Sequence, residues 1–268
     1  MAANSNFNPG KQPPRVALFV TCLVDLFRPS AGFAAVKLLE EAGCVVDVPA
    51  SQTCCGQPAY NSGGRQTAKD IARQVIAAFE PYTYIVVPSG SCGGMLSKHY
   101  PVLFDAAAEQ DWHRRAEKFA ARVFELTAFL SDILGVDFAG RAYPHRVAYH
   151  DSCSSFREMG VAAQPRKLLK SLDGITLVEM SEREVCCGFG GMFSVKYPDI
   201  SNAIVSQKAD RVAETKADVL TGADLGCLMN IAGKLAREGK TVEVRHIAEI
   251  LAGDGGAPGL CEKPGMPG

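Results

Sequence analysis

Residues 15–22 read "RVALFVTC" and residues 146–153 read "RVAYHDSC". Both begin Arg-Val-Ala and both stop at a cysteine, Cys22 and Cys153. A short Val-rich apolar run of this kind predicts a buried strand. In each case an adjacent cysteine pair and a glycine come next, Cys54-Cys55-Gly56 after Cys22 and Cys186-Cys187-Gly188 after Cys153, at spacings that differ by a single position. A further single cysteine follows each pair at a similar interval, Cys92 after Cys55 and Cys227 after Cys187. Eight of the ten cysteines therefore fall into two matching quartets, one in each half of the chain. Self-similarity of this sort marks a duplicated unit.

The stretches between the cysteines correspond as well. "GFAAVKLLEEAG" follows the first run and "QPRKLLKSLDG" the second, ending in the capping candidates Gly43 and Gly174. "CVVDVP" and "ITLVEM" are strand-like and lead to the two Cys-Cys-Gly pairs. "QTAKDIARQVIAAF" carries Ala68, Ile71, Ala72, Val75, Ile76 and Phe79 on one helical stripe, and "DISNAIVSQKADRVAE" is its weaker counterpart. "TYIVVPSGSC" and "ADVLTGADLGC" read as strands delivering Cys92 and Cys227. Each half closes with a short extended piece and a helix, "VFELTAFLSDIL" and "VEVRHIAEIL". Strands alternating with helices imply parallel strands covered by helices. The expected fold is thus α/β, with two repeated parallel-sheet halves related by a pseudo-twofold axis. Every quartet cysteine lies at or just past a strand's C-terminal end, where open α/β sheets build their sites. The expected divisions are a flexible tail over 1–14, a first cysteine-rich domain over 15–138, a second over 146–251 and a flexible tail over 252–268.

Composition narrows the function class. The 268 residues are 47% hydrophobic and 21% charged, with a formal net charge of −1. Nothing in that balance suggests nucleic acid or a membrane surface as partner. The segment "MAANSNFNPGKQPPR" has no apolar core, so no secretory signal is expected there. The longest apolar run, Val16 to Val24, falls far short of the ~20 residues that span a bilayer. A cytoplasmic location follows as an expectation. There thiols stay reduced, so the cysteines read as metal ligands or redox groups, not as a disulfide framework.

Three chemistries compete for a Cys, Cys-Cys-Gly, Cys quartet. A structural zinc ion takes tetrahedral cysteines, but in C-x(2–4)-C knuckles, and two neighbouring residues on one ion would strain the chelate ring. Dithiol redox chemistry accounts for the pairs but not for Cys22, Cys92, Cys153 or Cys227. An iron–sulfur cluster has several irons, so adjacent cysteines can bind different ones. The glycine lets the backbone turn close to the sulfurs, where amide N–H groups can donate to them. This third reading uses all eight cysteines: Cys22, Cys54, Cys55 and Cys92 in one half, Cys153, Cys186, Cys187 and Cys227 in the other.

On these residues the chain resembles the cysteine-rich "CCG" domain family, C-x(n)-C-C-G-x(n)-C-x-x-C, found duplicated in the B subunit of heterodisulfide reductase and in the iron–sulfur subunits of glycolate and anaerobic glycerol-3-phosphate dehydrogenases. The resemblance spans roughly residues 14 to 251. "TCCGQPAYNSG", "PSGSCGGM" and "CCGFGGMFSVKYPDIS" are most similar to the lactate utilisation protein A group. That likeness implies an iron–sulfur electron-transfer subunit of an L-lactate-oxidising system, working with a ferredoxin-type iron–sulfur protein and a third small subunit. The alternatives it leaves open are a heterodisulfide-reductase-like thiol–disulfide reductase and a glycolate dehydrogenase subunit. The ferredoxin-like run C-x(2)-C-x(2)-C-x(3)-C is missing here, which favours the stand-alone group. The family's fifth cysteine is also missing: Met95 and Asn230 stand in its place, shortly after Cys92 and Cys227. Four thiolates suit a [4Fe-4S] cubane in each half.

Outside the quartets, His150 and Asp151 in "YHDSC" could tune the second cluster or simply cap a loop. His99 and His246 read as structural, and Lys196 as a solvated lysine that could offset cluster charge. Isolated Cys44 suits a core position, and Cys261 lies in a Gly/Pro-rich tail. No G-x-G-x-x-G follows a strand, and no Ser/His/Asp or paired-carboxylate arrangement stands out.

Overall fold

The computed structural model describes residues 13–253 and 258–261. The apolar runs form two four-stranded sheets. The first contains β1 (Arg15–Leu18), β2 (Val45–Asp47), β3 (Tyr84–Val87) and β4 (Val123–Glu125) in the order β2-β1-β3-β4. The second contains β5 (Arg146–His150), β6 (Thr176–Val178), β7 (Val219–Gly222) and β8 (Glu243–His246) in the order β6-β5-β7-β8. Every neighbouring pair is parallel. The expected α/β class and the duplication are both present, down to the same strand order. The chain winds one way from β1 to β2 and the other way through β3, so each half has a crevice at the carboxyl ends of its two central strands.

The helices of the first half are α1 (Cys22–Phe27), α2 (Pro29–Glu41), α3 (Gln57–Asn61), α4 (Arg65–Phe79), α5 (Gly90–Gly94), α6 (Tyr100–Leu103), α7 (Gln110–Ala120) and α8 (Leu126–Ala128). Those of the second are α9 (Cys153–Arg157), α10 (Ala163–Lys170), α11 (Met192–Lys196), α12 (Pro198–Glu214), α13 (Leu225–Arg237) and α14 (Ile247–Ala252). The stripe read from the sequence is the buried face of α4: Ala68, Ala72, Val75, Ile76 and Phe79. Burying Val75, Ile76 and Phe79 contributes roughly 1.5–3 kcal/mol each. In α12 the buried residues are Ser201, Val205, Lys208, Ala209 and Val212, at identical spacing.

The halves are joined through reciprocal contacts. Helix α2 packs on α14, and its repeat mate α10 packs on α8; α1 meets α13, and α9 meets α5. A single apolar cluster includes Leu38, Leu39 and Phe129 from one half and Tyr149, Leu168 and Leu251 from the other. Each half therefore completes its core with the other. The connector contributes too, burying Val136 and Phe138 in that cluster and bridging Ala142 to Asp173. Where α5 meets α9 the backbones come close. A Cβ at Gly90 would lie 1.8 Å from Ser155 Oγ, and one at Gly94 would lie 2.0 Å from Glu158 Oε2.

One charged pair is buried in the joint. Arg28, between α1 and α2, donates to Glu249 of α14 at 2.8 Å, and Ser30 Oγ donates to the same oxygen at 2.6 Å. The other carboxylate oxygen accepts the His246 N–H at 3.1 Å. Of the tails expected at the two ends, residues 1–12, 254–257 and 262–268 lie outside the described residues. Ala252 belongs to α14, and Leu260 N–H donates to Val244 O at 2.8 Å. Removing one partner of a buried ion pair leaves the other charge unpaired, which costs about 3–5 kcal/mol. Glu249→Ala should lower the urea-unfolding free energy by that amount; a loss under about 1 kcal/mol would mean that the pair does not hold the halves together.

Candidate functional site

The strand ends deliver the thiols. Cys22 opens α1 directly after β1, and Cys153 opens α9 directly after β5. Cys92 lies within α5 and Cys227 within α13, past the central strands β3 and β7. The two pairs sit in the loops after β2 and β6. Thr21 takes φ 71°, ψ 142°, a region that costs a non-glycine residue roughly 1–3 kcal/mol. This strained turn sets the direction of Cys22. The glycine after each pair has its reason here: Gly56 and Gly188 have φ of 82° and 81°. A Cβ on Gly188 would also meet Ser201 O at 2.7 Å, and one on Gly56 would press on Ile71 at 3.2 Å. The pairs are thus pinned between a left-handed turn and the helices α12 and α4.

All eight side chains line one cavity of about 400 Å³. The sequence suggested a separate site at the strand ends of each half. The structure turns those ends toward each other, and residues of both halves close the chamber, among them Ser91, Ser152, Glu158 and Asp224. Asp224 Oδ2 accepts the Ser91 N–H across the joint at 2.8 Å. The burial pattern repeats: Cys55, Cys92, Cys187 and Cys227 are buried, whereas Cys22 and Cys54 are partly accessible and Cys153 and Cys186 exposed. Sγ of Cys22 and Cys54 are 3.9 Å apart. In the second half Cys187 Sγ, Cys227 Sγ and a His150 ring nitrogen lie within 4.8 Å of one another. Backbone amides already face the sulfurs: Gly188 N–H donates to Cys186 at 3.3 Å and Phe189 N–H to Cys187 at 3.5 Å. The first cysteine of each pair is held far toward thiolate. Cys54 is depressed chiefly by the hydrogen bond from Cys22, then by that from Cys55; Cys186 is depressed chiefly by Cys153, then by Cys187.

The other groups singled out in the sequence separate clearly. His150 is buried and both its ring nitrogens lack a partner among the described residues. It therefore caps nothing, and burial pushes its pKa down to about 3. Asp151 is spoken for, since Arg166 binds both its oxygens at 2.9 and 2.7 Å. His246 is structural: it caps α14, and Nε2 lies 3.1 Å from Pro88 O in the other half. His99 lines the cavity and lies 3.5 Å from Glu158. Lys196 is exposed. The lysine that matters was missed. Lys208 is buried, donates to the carbonyls of Glu182 and Arg183, and interacts with the sulfurs of Cys187 and Cys186. Its signal was present as a lysine inside the apolar stripe of α12. The two residues at the missing fifth cysteines lie apart from the cavity lining: Met95 is packed in the apolar core, and Asn230 Nδ2 donates to Cys187 O at 2.9 Å. Tyr100 OH does the same for Cys55 O, also at 2.9 Å. Cys44 is a core residue and Cys261 is exposed.

A model of the cysteine-rich CCG domain matches this chain twice, over residues 16–97 and 147–232. The chain belongs to that family. Within the CCG family it is similar to the lactate utilization protein A of Oceanobacillus iheyensis, 51% identical over 237 residues, 88% of this chain and 96% of that one. The lactate utilization protein A of Exiguobacterium sp. is 50% identical, over 89% and 97% of the two chains. That of Geobacillus thermodenitrificans is 48% identical, over 88% and 98%. At this identity and coverage the chain is a member of the lactate utilization protein A group. A hypothetical protein from Helicobacter pylori shares the fold, with a TM-score of 0.63 at 10% identity over 94% of this chain; the chain spans 51% of that protein's length.

The CCG quartets fit a soft, thiolate-held group. Four sulfurs line the cavity from each half; in the second, amides donate to Cys186 and Cys187, and an unpartnered imidazole faces Cys187 and Cys227. In protein stripped of metal and reduced, the depressed Cys186 thiol should react with iodoacetamide at nearly the same rate at pH 6 and pH 8. An ordinary thiol gains roughly tenfold per pH unit over that range. Peptide mapping by mass spectrometry reads the rate, and the same protein in urea supplies the reference. A tenfold rise per unit for folded Cys186 would contradict the arrangement.

Proposed function

We propose that this chain is an iron–sulfur electron-transfer subunit of an L-lactate-oxidising system. The observation that carries the reading is the facing of two thiol quartets across one cavity, in a chain whose relatives are named for lactate utilisation. Cys22, Cys54, Cys55 and Cys92 would hold one cluster, and Cys153, Cys186, Cys187 and Cys227 a second, each a [4Fe-4S]. When bound, such clusters supply one-electron acceptors, and two of them match the two electrons a hydroxy acid releases on becoming a keto acid. The chain's own part is to hold sulfur as thiolate and to fix the two groups in one chamber. Hydrogen bonds to the sulfurs and the carbonyl clamps on Cys55 and Cys187 do this fixing.

The partners fall to the surface beside the chamber. Leu26 and Phe27 on α1, and Met192 and Val195 on α11, are exposed apolar residues on the two elements that adjoin the cavity-lining residues Leu23 and Gly191. Exposed apolar surface of this kind suits protein contacts, here with the ferredoxin-type and third subunits of the system. A cytoplasmic location is supported by ten cysteines that form no disulfide. No helix among the described residues is long and apolar enough to cross a membrane.

Anaerobically purified protein should be brown and carry about eight irons per chain with matching sulfide, on the scale of two four-iron clusters. Cys186→Ser should remove about half of that iron. Colourless protein holding zinc would sink the reading. The open chamber also favours a second reading, cleavage of a disulfide by the chain itself. Turnover of a disulfide by the isolated, chemically reduced protein would establish that chemistry in place of relay alone.

A further inference from the structure

Duplication lets each half serve as the reference for the other. Iron–sulfur potentials are set by net charge, by hydrogen bonds to the sulfurs and by solvent exposure. Hydrogen bonds do not separate the two quartets. Gly188 N–H donates to Cys186 and Phe189 N–H to Cys187, and the Gly56 and Cys55 N–H groups donate to Cys54 in the same way. Asn230 and Tyr100 clamp the carbonyls of Cys187 and Cys55 alike. Exposure does separate them: Cys153 and Cys186 are exposed, whereas Cys22 and Cys54 are only partly accessible.

Charge separates them further. The buried faces of α4 and α12 match position by position, and Val75 of the first stands where Lys208 stands in the second. Lys208 is 1% exposed. Its Nζ donates to Glu182 O at 3.1 Å and to Arg183 O at 3.2 Å, in the loop that leads to Cys186. Its charge acts on the sulfurs of Cys187, Cys186 and Cys227. At Cys22, Cys54 and Cys55 the leading interactions come from one another, from Cys92 and from backbone N–H groups. The carboxylate of Asp224 opposes Lys208 at Cys227. It lies on the joint, bonded to the Ser91 N–H beside Cys92, and so bears on both quartets.

Resting on the iron–sulfur reading above, we propose that Lys208 sets the two centres apart. It holds the centre at Cys153, Cys186, Cys187 and Cys227 at a higher reduction potential than the centre at Cys22, Cys54, Cys55 and Cys92. Reducing a cluster adds one negative charge, and a buried ammonium stabilises that charge more than a water-screened one does. Val75 supplies no such charge, and the greater exposure of Cys153 and Cys186 acts in the same direction as the lysine. An electron that enters the chamber therefore settles on the second centre. Each transfer oxidises the first centre and reduces the second by one electron, with no bond made or broken.

The test uses the full chain purified anaerobically with its iron, titrated with reductant and followed by EPR. Two midpoints are expected, and a single shared one would overturn the proposal. Cys186→Ser, which should keep the first centre alone, should retain the lower midpoint; retention of the higher would overturn the order. Lys208→Met keeps the apolar stem and removes the charge. It should keep all the iron and move the higher midpoint down toward the lower, which stays in place. Lys208→Arg keeps the charge and should restore the gap. Full iron with neither midpoint moved, or with both moved equally, would overturn the role of Lys208 and leave the iron–sulfur reading standing. Loss of half the iron from Lys208→Met would make the lysine a clamp on its loop and would overturn that role too. Unmutated protein without iron would overturn the iron–sulfur reading itself.

Discussion

The approach of α5 to α9 is the constraint on which the chamber depends. Each quartet draws its members from three segments of one half, two helices and a loop, yet residues of both halves line the one cavity. At the meeting point Gly90 leaves no room for a Cβ against the side chain and backbone of Ser155. Cys92 lies two residues further along α5, so a cysteine that lines the chamber and the glycine that permits the approach share one turn of helix. The Asp224–Ser91 bond and the Arg28–Glu249 pair then hold the joint at its polar and apolar sides. A side chain inserted at Gly90 would push the halves apart and so separate the two quartets.

Much of this was legible because duplication writes each element twice. The strands, the α4 stripe and the placement of thiols at strand ends follow from period and punctuation, which are local. The joint was not legible. Nothing in "EVRHIAEIL" states that Glu249 reaches Arg28, far away at the other end of the chain. The glycines of "PSGSCGGM" could be read as flexibility near a site, whereas their role is contact with another helix. His150 was ambiguous for the same reason: a polar residue at a strand end usually finds a loop to cap, and only the packed structure reveals that this one found none. Lys196 reads from the sequence as a solvated lysine and is exposed; Lys208, inside the apolar stripe of α12, went unread. The helical register of α12 buries Lys208 where it interacts with the sulfurs of Cys187 and Cys186.

Symmetry of backbone and asymmetry of chemistry coexist here because they depend on different atoms. The register of the two sheets and the spacing of the buried faces of α4 and α12 are the same. On that shared frame, Ala68, Val75 and Phe19 of the first half correspond to Ser201, Lys208 and His150 of the second. Each polar replacement is buried. Ser201 bonds Gly188 O at 2.8 Å, and so fixes the very turn that aims the second pair.

Lys208 shows why such replacements carry meaning. Burial alone disfavours its charge, and the surrounding sulfurs oppose that effect. Two carbonyls take two of its three donors. An ammonium in this position lowers the energy of negative charge on nearby sulfur, by an amount that grows as water is excluded. Val75 can offer nothing comparable to the first quartet. Among the buried stripe residues of α4 and α12 Lys208 is the one charged side chain, and it interacts with the second quartet.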